Sequence, residues 1–219
     1  MVEMKRRPKE GSKQAIKSAN TQEAFLKAAL DCYVSLGYIL TTTTTVAEKA
    51  GLSRGAMVHH FPSKRTLVEA SIYYLNQQRI ATFSEDMSKL AKKAGKIVGQ
   101  DGLNVYWKLL NSKYYTAYFE LRMASRTDKE LGAILKKADN EFEINWQENI
   151  KLAFPEWNDK TKEQLQLAMD VTQTMMEGLT LCNFGTDTKR RQKLVLLYVR
   201  RAVQDIYMTE NIEEILLKK

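Results

Sequence analysis

Residues 41–63 constrain the chain more tightly than any other stretch. Five threonines, Thr41 to Thr45, run into Val46-Ala47-Glu48-Lys49-Ala50-Gly51 and then Leu52-Ser53-Arg54. A threonine run by itself signals a strand. Here it is followed by helix formers and a glycine, so an early threonine is expected to cap a short helix. Gly51 then ends that helix in the left-handed conformation. Leu52 and Ser53 make the turn, and Ser53 is placed to cap a third segment, Arg54 to His60. Pro62 disfavours helix at Phe61, and Ser63 caps a longer helix through Leu67, Ala70, Ile72, Tyr73 and Leu75 towards Phe83. Upstream, from Thr21, the residues Phe25, Ala28, Ala29, Cys32, Tyr33 and Leu36 recur at three- and four-residue steps, one face of an amphipathic helix that Gly37 closes. Three short helices with a tight Gly-Leu-Ser turn read as a helix-turn-helix unit. Small Ala47 and Ala50 let the second and third helices cross closely. Leu52 and Met57 are expected to face a core with Phe25, Tyr33 and Val46, leaving Arg54, Gly55, Val58, His59 and His60 outward, where such units meet a DNA major groove.

The rest of the chain is also helical in pattern. Only three Pro and ten Gly occur among 219 residues, and 44% are hydrophobic, enough for a packed core. Residues 1–20 are polar and basic, with Lys5, Arg6, Arg7, Lys9, Lys13 and Lys17 against Glu3 and Glu10, and read as a flexible arm. Residues 84–101 read as a helix end and a loop, with Gly95, Gly99 and Gly102 as breakers. Leu103, Trp107, Leu110, Tyr114, Ala117, Tyr118 and Leu121 then form one helical stripe. Further helices are expected from about Lys129 to Phe154, ended by Pro155, from about Thr161 to Phe184, and from about Asp187 to Met208. The chain is thus expected to be all-α, with an arm over 1–20, a DNA-binding domain over 21–65 and a larger regulatory and dimerisation domain over 66–219.

The formal charge of +8 favours an anionic partner such as nucleic acid or an anionic membrane surface. Two cysteines, Cys32 and Cys182, lie in different halves and form no C-x-x-C pair, so neither a disulfide framework nor a zinc site is expected. The adjacent pair His59-His60 points about 100° apart on a helix and cannot easily share one metal ion. No apolar run approaches the roughly 20 residues of a membrane span, and no signal peptide is evident, which gives a cytoplasmic expectation. No Ser-His-Asp order, Gly-rich phosphate loop or cluster of carboxylates stands out. No catalysis, cofactor or metal is expected.

From Phe25 to Leu67 the sequence closely resembles the tetracycline-repressor (TetR) family. The resemblance rests on Ala28-Ala29, Gly37-Tyr38, the Thr-Thr before Val46-Ala47, Ala50-Gly51-Leu52-Ser53, Gly55, His60-Phe61 and Ser63-Lys64 in order. Glu120-Leu121, Ser125-Arg126-Thr127-Asp128 and Glu130-Leu131 resemble a stretch of one branch of that family. Val58 departs from it: many members carry a tyrosine there, so a phosphate contact made by that hydroxyl is missing or replaced. The resemblance implies a ligand-responsive regulator, repression being the default sign, that binds a palindromic operator in double-stranded DNA as a homodimer. It implies phosphate contacts from His60 and Lys64. Thr43 and Thr44 lie where the second helix opens, an anion-favouring spot; Thr43 is the preferred phosphate contact and Thr42 the cap. The basic arm is either a solvated tail or a segment that tracks DNA phosphates or enters the minor groove. Aromatic and Met residues at helical spacing are usually core, but the resemblance implies that some line an effector cavity; Trp107, Tyr114, Tyr118, Met123, Trp146 and Met176 are the candidates. Met adapts to varied apolar ligands, which favours a hydrophobic or aromatic effector. The last two helices carry more apolar surface than one contact face needs, and in the family the corresponding helices pair across a two-fold axis.

Overall fold

A computed structural model describes residues 13–94, 99–182 and 187–213, and all regular structure among them is helical. In chain order the helices are α1 Lys13–Leu40, α2 Thr43–Ala50, α3 Arg54–His60, α4 Lys64–Ala94, α5 Gly99–Leu110, α6 Lys113–Ala124, α7 Lys129–Ala153, a 3-10 turn Pro155–Asp159, α8 Lys162–Leu181 and α9 Thr188–Met208. The all-α expectation holds. No helix among the described residues is long and apolar enough to cross a membrane.

The described residues form two compact units. One comprises those up to Leu75 together with Ala117–Ala138; the other comprises Asn76–Thr116 and those from Asp139 onward. This division differs from the boundary expected at residue 65, because the chain returns to the first unit through α6 and α7.

In the first unit, α1 buries Phe25, Ala28, Ala29, Cys32 and Tyr33 as its periodicity requires, but Leu36 stays exposed. The helix begins at Lys13, eight residues before the expected start, so the described part of the arm is helical; residues 1–12 lie outside the described residues. Thr21 does not open the helix. Its hydroxyl donates to the Lys17 carbonyl at 2.9 Å, as a mid-helix threonine does, and no glycine or proline interrupts Lys13 to Leu36. Gly37 kinks α1 with φ 75 and ψ 168, a region open essentially to glycine. A β-carbon there would also sit 3.3 Å from the Glu120 carboxylate. Thr42 caps α2, its hydroxyl accepting from the Thr45 amide while the Thr45 hydroxyl accepts from the Thr42 amide. Ser53 caps α3 through the Ala56 amide, and Ser63 and Thr66 exchange bonds of the same reciprocal kind at the start of α4.

In the second unit Trp146 is the centre of an aromatic cluster. Its ring lies 4.6 Å from Phe83, 5.8 Å from Tyr106 and 5.5 Å from Phe142, stacked on the last. Helix α4 continues to Ala94, so residues 84–94 are helix and not loop; residues 95–98 lie outside the described residues. The single stripe expected over 103–121 is two helices. Asn111 and Ser112 break it: the Asn111 side chain donates to the Trp107 carbonyl at 2.8 Å, and the Ser112 amide turns back to Leu109. Gly102 is not a breaker either. It lies inside α5, where a β-carbon would meet the Phe154 ring at 2.4 Å, so close packing and not chain reversal demands glycine. Pro155 does follow the end of α7, and Thr161 and Gln164 form a capping box on α8. The buried Gln164 amide also donates to the Thr209 carbonyl at 2.7 Å, tying the start of α8 to the end of α9. Residues 183 and 184, expected to end α8, lie outside the described residues.

Two glycines of the first unit give a graded test. Gly51 has φ 65 and ψ 28 with open space around it, so Gly51→Ala is strained only through the backbone, about 1–2 kcal/mol. Gly37→Ala adds the Glu120 contact to a conformation that costs of order 1–3 kcal/mol. Urea denaturation should rank Gly37→Ala below Gly51→Ala, with both below wild type; a reversed order would refute the backbone assignment.

Candidate nucleic-acid interface and interior cavity

The α2–α3 turn is set by backbone bonds. The amide of Leu52 reaches the Ala47 carbonyl at 3.0 Å and that of Gly51 the Glu48 carbonyl at 3.1 Å, the paired closure of a helix that ends in a left-handed glycine. Helix α3 is pinned by Met57, which is buried, and by Phe61 just after it, whose ring meets Phe25 edge-on at 6.2 Å. The opposite side is open: Arg54, Gly55, Val58 and His59 are exposed, Val58 at 61%. Arg54 pairs with Glu48 at 3.1 Å on the surface. Thr43 and Thr44 are half-buried in the first turn of α2.

His60 and His59 differ. His60 is half-buried, its ring 6.1 Å from Phe25 and 6.4 Å from Phe61. Desolvation, helped by the neighbouring His59, pushes its pKa below the ordinary 6.5, so it is predominantly neutral at pH 7. Lys64 is held as well. Its ammonium donates to the Tyr38 carbonyl at 3.3 Å and sits 4.5 Å from the centre of the Tyr38 ring. Burial lowers its pKa while Asp128 opposes the shift.

Tyr38 and Asp128 are site residues with no assigned role in the sequence reading. The Tyr38 hydroxyl donates to Asp128 at 3.0 Å, and the other Asp128 oxygen accepts from the Leu131 amide at 3.0 Å, capping α7. Burial and that carboxylate push the Tyr38 hydroxyl up to about 12, and the Leu131 amide holds Asp128 below the usual carboxylate range. Arg65 and Glu130 add an exposed ion pair at 2.9 Å. An aspartate three residues before the first buried leucine of a helix is a capping signal legible in sequence. Its tyrosine partner, 90 residues away, is not.

The second unit contains a half-open cavity of about 350 Å³ whose lining includes six aromatic residues, Phe83, Tyr106, Trp146, Phe154, Trp157 and Tyr207, beside the polar Glu156, Gln173, Arg200 and Gln204. Of the six residues expected to line such a space, Trp146 does. Trp107 and Tyr114 are half-buried outside its lining; Met176 is fully buried elsewhere in the packing. Tyr118 and Met123 belong to the first unit, and Met123 is 54% exposed. The stripe that carries Trp107, Tyr114 and Tyr118 is broken at Asn111, between α5 and α6. Among the described residues no group of three or more His, Cys, Asp or Glu is placed to hold a metal ion.

Two short capped helices packed on α1, a glycine-closed turn between them and an α3 exposed along its outer side define a helix-turn-helix unit of the DNA-binding kind. Residues 25–71 match the family described as bacterial regulatory proteins, tetR family. An uncharacterized HTH-type transcriptional regulator of Mycobacterium tuberculosis (strain ATCC 25618 / H37Rv) is 22% identical over 122 residues, 56% of this chain, and the match spans 62% of that relative's length. Among solved structures, a protein described as a TetR-family transcriptional regulator from Rhodococcus sp. shares the fold with a TM-score of 0.63 at 20% identity, over 87% of this chain and 100% of that one. The multidrug binding protein EbrR, solved with imidazole, does so with a TM-score of 0.58 at 14% identity, over 88% of this chain and 97% of that one. Residues 25–71 thus carry a tetR-type helix-turn-helix segment, and the chain as a whole shares the fold of these solved regulators.

The environment of His60 predicts a pH effect. Because its folded pKa lies below 6.5, the unfolded chain takes up the proton first as pH falls through that value. Stability should decline below about pH 6.5 and level off once pH passes under the folded pKa. His60→Gln should lose less stability than wild type between pH 7.5 and 5.5 in urea titrations. An NMR titration placing the His60 imidazole above 6.5 would reverse the sign.

Proposed function

We propose that the protein is a ligand-responsive transcription regulator that binds a palindromic operator as a homodimer and is released by a small apolar or aromatic effector, most simply as a cytoplasmic repressor. The observation that carries the DNA-binding half is the exposure of Arg54, Gly55, Val58 and His59 on a helix whose other edge is anchored by Met57. In this reading residues 21–65 are the DNA-binding part and 66–219 the regulatory part. Arg54 and His59 read base edges. Thr43, Thr44, His60 and Lys64 meet phosphate, which positions α3 without reading sequence. His60 serves as a neutral hydrogen-bond donor, and Lys64 exchanges the Tyr38 carbonyl for a phosphate oxygen. Gly55 admits the backbone close to the groove. Val58 offers only apolar contact.

The aromatic cavity supports the effector half of the reading, and the imidazole bound by EbrR is a parallel in a protein of like fold. A ligand releases DNA only if it binds the non-binding state more tightly. In a dimer it need only spoil the simultaneous docking of two α3 helices on half-sites about 34 Å apart. Leu194, Leu197 and Tyr198 leave an apolar side of α9 exposed, which supports pairing of chains there.

Two measurements test this. On an operator selected from random duplexes, His59→Ala should cost about 1–3 kcal/mol per base contact and leave random DNA nearly untouched. Lys64→Ala should weaken both and flatten the salt dependence by about one unit of slope per lost phosphate contact. Equal weakening of both duplexes by His59→Ala would remove it as a base reader. For assembly, Leu197, 47% exposed on α9, is the side chain to charge. Leu197→Asp should give folded monomers by light scattering; a monomeric wild type at micromolar concentration would end the dimer reading.

A further inference from the structure

A buried hydrogen-bond chain crosses four helices of the second unit. Arg79 on α4 is 2% exposed, its guanidinium carbon 4.3 Å from the centre of the Tyr115 ring and 4.0 Å from that of Phe142. One guanidinium nitrogen donates to the Asn76 side-chain oxygen at 3.0 Å and another to the Tyr115 hydroxyl at 2.7 Å. The Tyr115 hydroxyl on α6 lies 3.1 Å from that of Tyr106 on α5, and Tyr106 donates to Glu177 on α8 at 3.1 Å. Tyr106 donates its one hydroxyl proton to Glu177, so it accepts from Tyr115, whose own oxygen accepts from the guanidinium, a group that can only donate. The proton order runs one way from cation to carboxylate. Burial pushes both phenols above their ordinary pKa, which keeps both protons in place.

Tyr106 alone of these four also walls the aromatic cavity. Its ring faces that space and its hydroxyl is the third link of the chain. We propose that Tyr106 is the positioning residue through which an occupant of the cavity acts on α4: an aromatic ligand that shifts the ring stretches the contacts to Tyr115 and Glu177 together, and the disturbance reaches Arg79. Arg79 stands on the same unbroken 31-residue helix that begins with Lys64. The inference rests on the reading of the cavity as the effector site. It goes beyond it by naming the residues that transmit occupancy and by assigning the task to hydroxyls rather than to ring packing alone.

Removing one oxygen separates the two roles. Tyr106→Phe keeps the cavity wall and cuts the chain; Tyr115→Phe cuts it one link away, outside the lining; Tyr114→Phe, a neighbouring phenol outside the chain, is the control. The full-length protein is titrated with 2-naphthol, a neutral two-ring probe, by fluorescence, and its affinity for a duplex selected from a random pool is measured with and without saturating probe. Wild type and Tyr114→Phe should lose about fivefold or more in DNA affinity when the probe is bound. Tyr115→Phe, outside the lining, should bind the probe within about twofold of wild type; at saturating probe Tyr106→Phe and Tyr115→Phe should each lose less than about twofold in DNA affinity, and the double variant should behave as either single one. Thermal melts confirm folding of each variant, and either phenylalanine variant suffices should the other not fold. Full probe-induced release in Tyr106→Phe overturns the proposal and leaves the effector reading intact. A wild type that binds DNA yet is indifferent to the probe overturns the effector reading itself, and the proposal with it.

Discussion

Met57 holds the exposed helix in place, and the chemistry available to α3 follows from that one burial. Seven residues are too few for a helix to persist in water by itself. Its order is borrowed from the Ser53 cap, about 1 kcal/mol, from the closure at Gly51, and from burying Met57 and Phe61, about 1.5–3 kcal/mol each. With Met57 facing inward and successive residues about 100° apart, Gly55 and His59 point most nearly away from the core, about 160° round, and Val58 stands about 100° round and exposed. His60 falls about 60° from Met57 and must share the flank with Phe25. Two adjacent histidines thereby acquire different chemistry: one is a solvated imidazole on the outer face, the other a desolvated ring that resists protonation.

Much of the first unit was legible because its signals are local. Thr42, Ser53 and Ser63 bind amides three residues away, and Gly51 answers to its own φ, so each could be read within a short window. The failures are local rules overruled by packing or by neighbours. Thr21 has the chemistry of a cap, but its hydroxyl found the carbonyl four residues back in a helix already under way. Gly102 has the chemistry of a breaker but was required by the Phe154 ring, which sequence distance hides. Asn111 and Ser112 interrupt an apolar stripe whose period runs on through them, so periodicity alone joins α5 to α6. The cavity was illegible residue by residue for the same reason. Its walls come from five separate helical segments and the 3-10 turn, and only Trp146 among the chosen aromatics meets the others there.

The polar chain inside the second unit is hard to explain by stability. A buried guanidinium loses hydration worth several kcal/mol, and replacing buried ionic groups by well-packed apolar ones of similar volume is often neutral or stabilising. Stacking between the Tyr115 and Phe142 rings offsets part of that loss. Hydrogen bonds to Asn76 and Tyr115 offset more, yet a leucine or methionine would need neither. What an apolar residue could not do is fix direction. Each hydroxyl must accept from one specified neighbour and donate to the next, so α4, α5, α6 and α8 are correct only in combination. An apolar core tolerates small slips because dispersion contacts re-form at a new register, whereas a 2.7 Å donor contact weakens steeply when its geometry is lost. Tyr106 belongs both to this chain and to the lining of the pocket, so displacement of its side chain is opposed by two hydrogen bonds as well as by packing. Under the proposed reading, that coupling is what lets a guest beside Tyr106 be felt on α4.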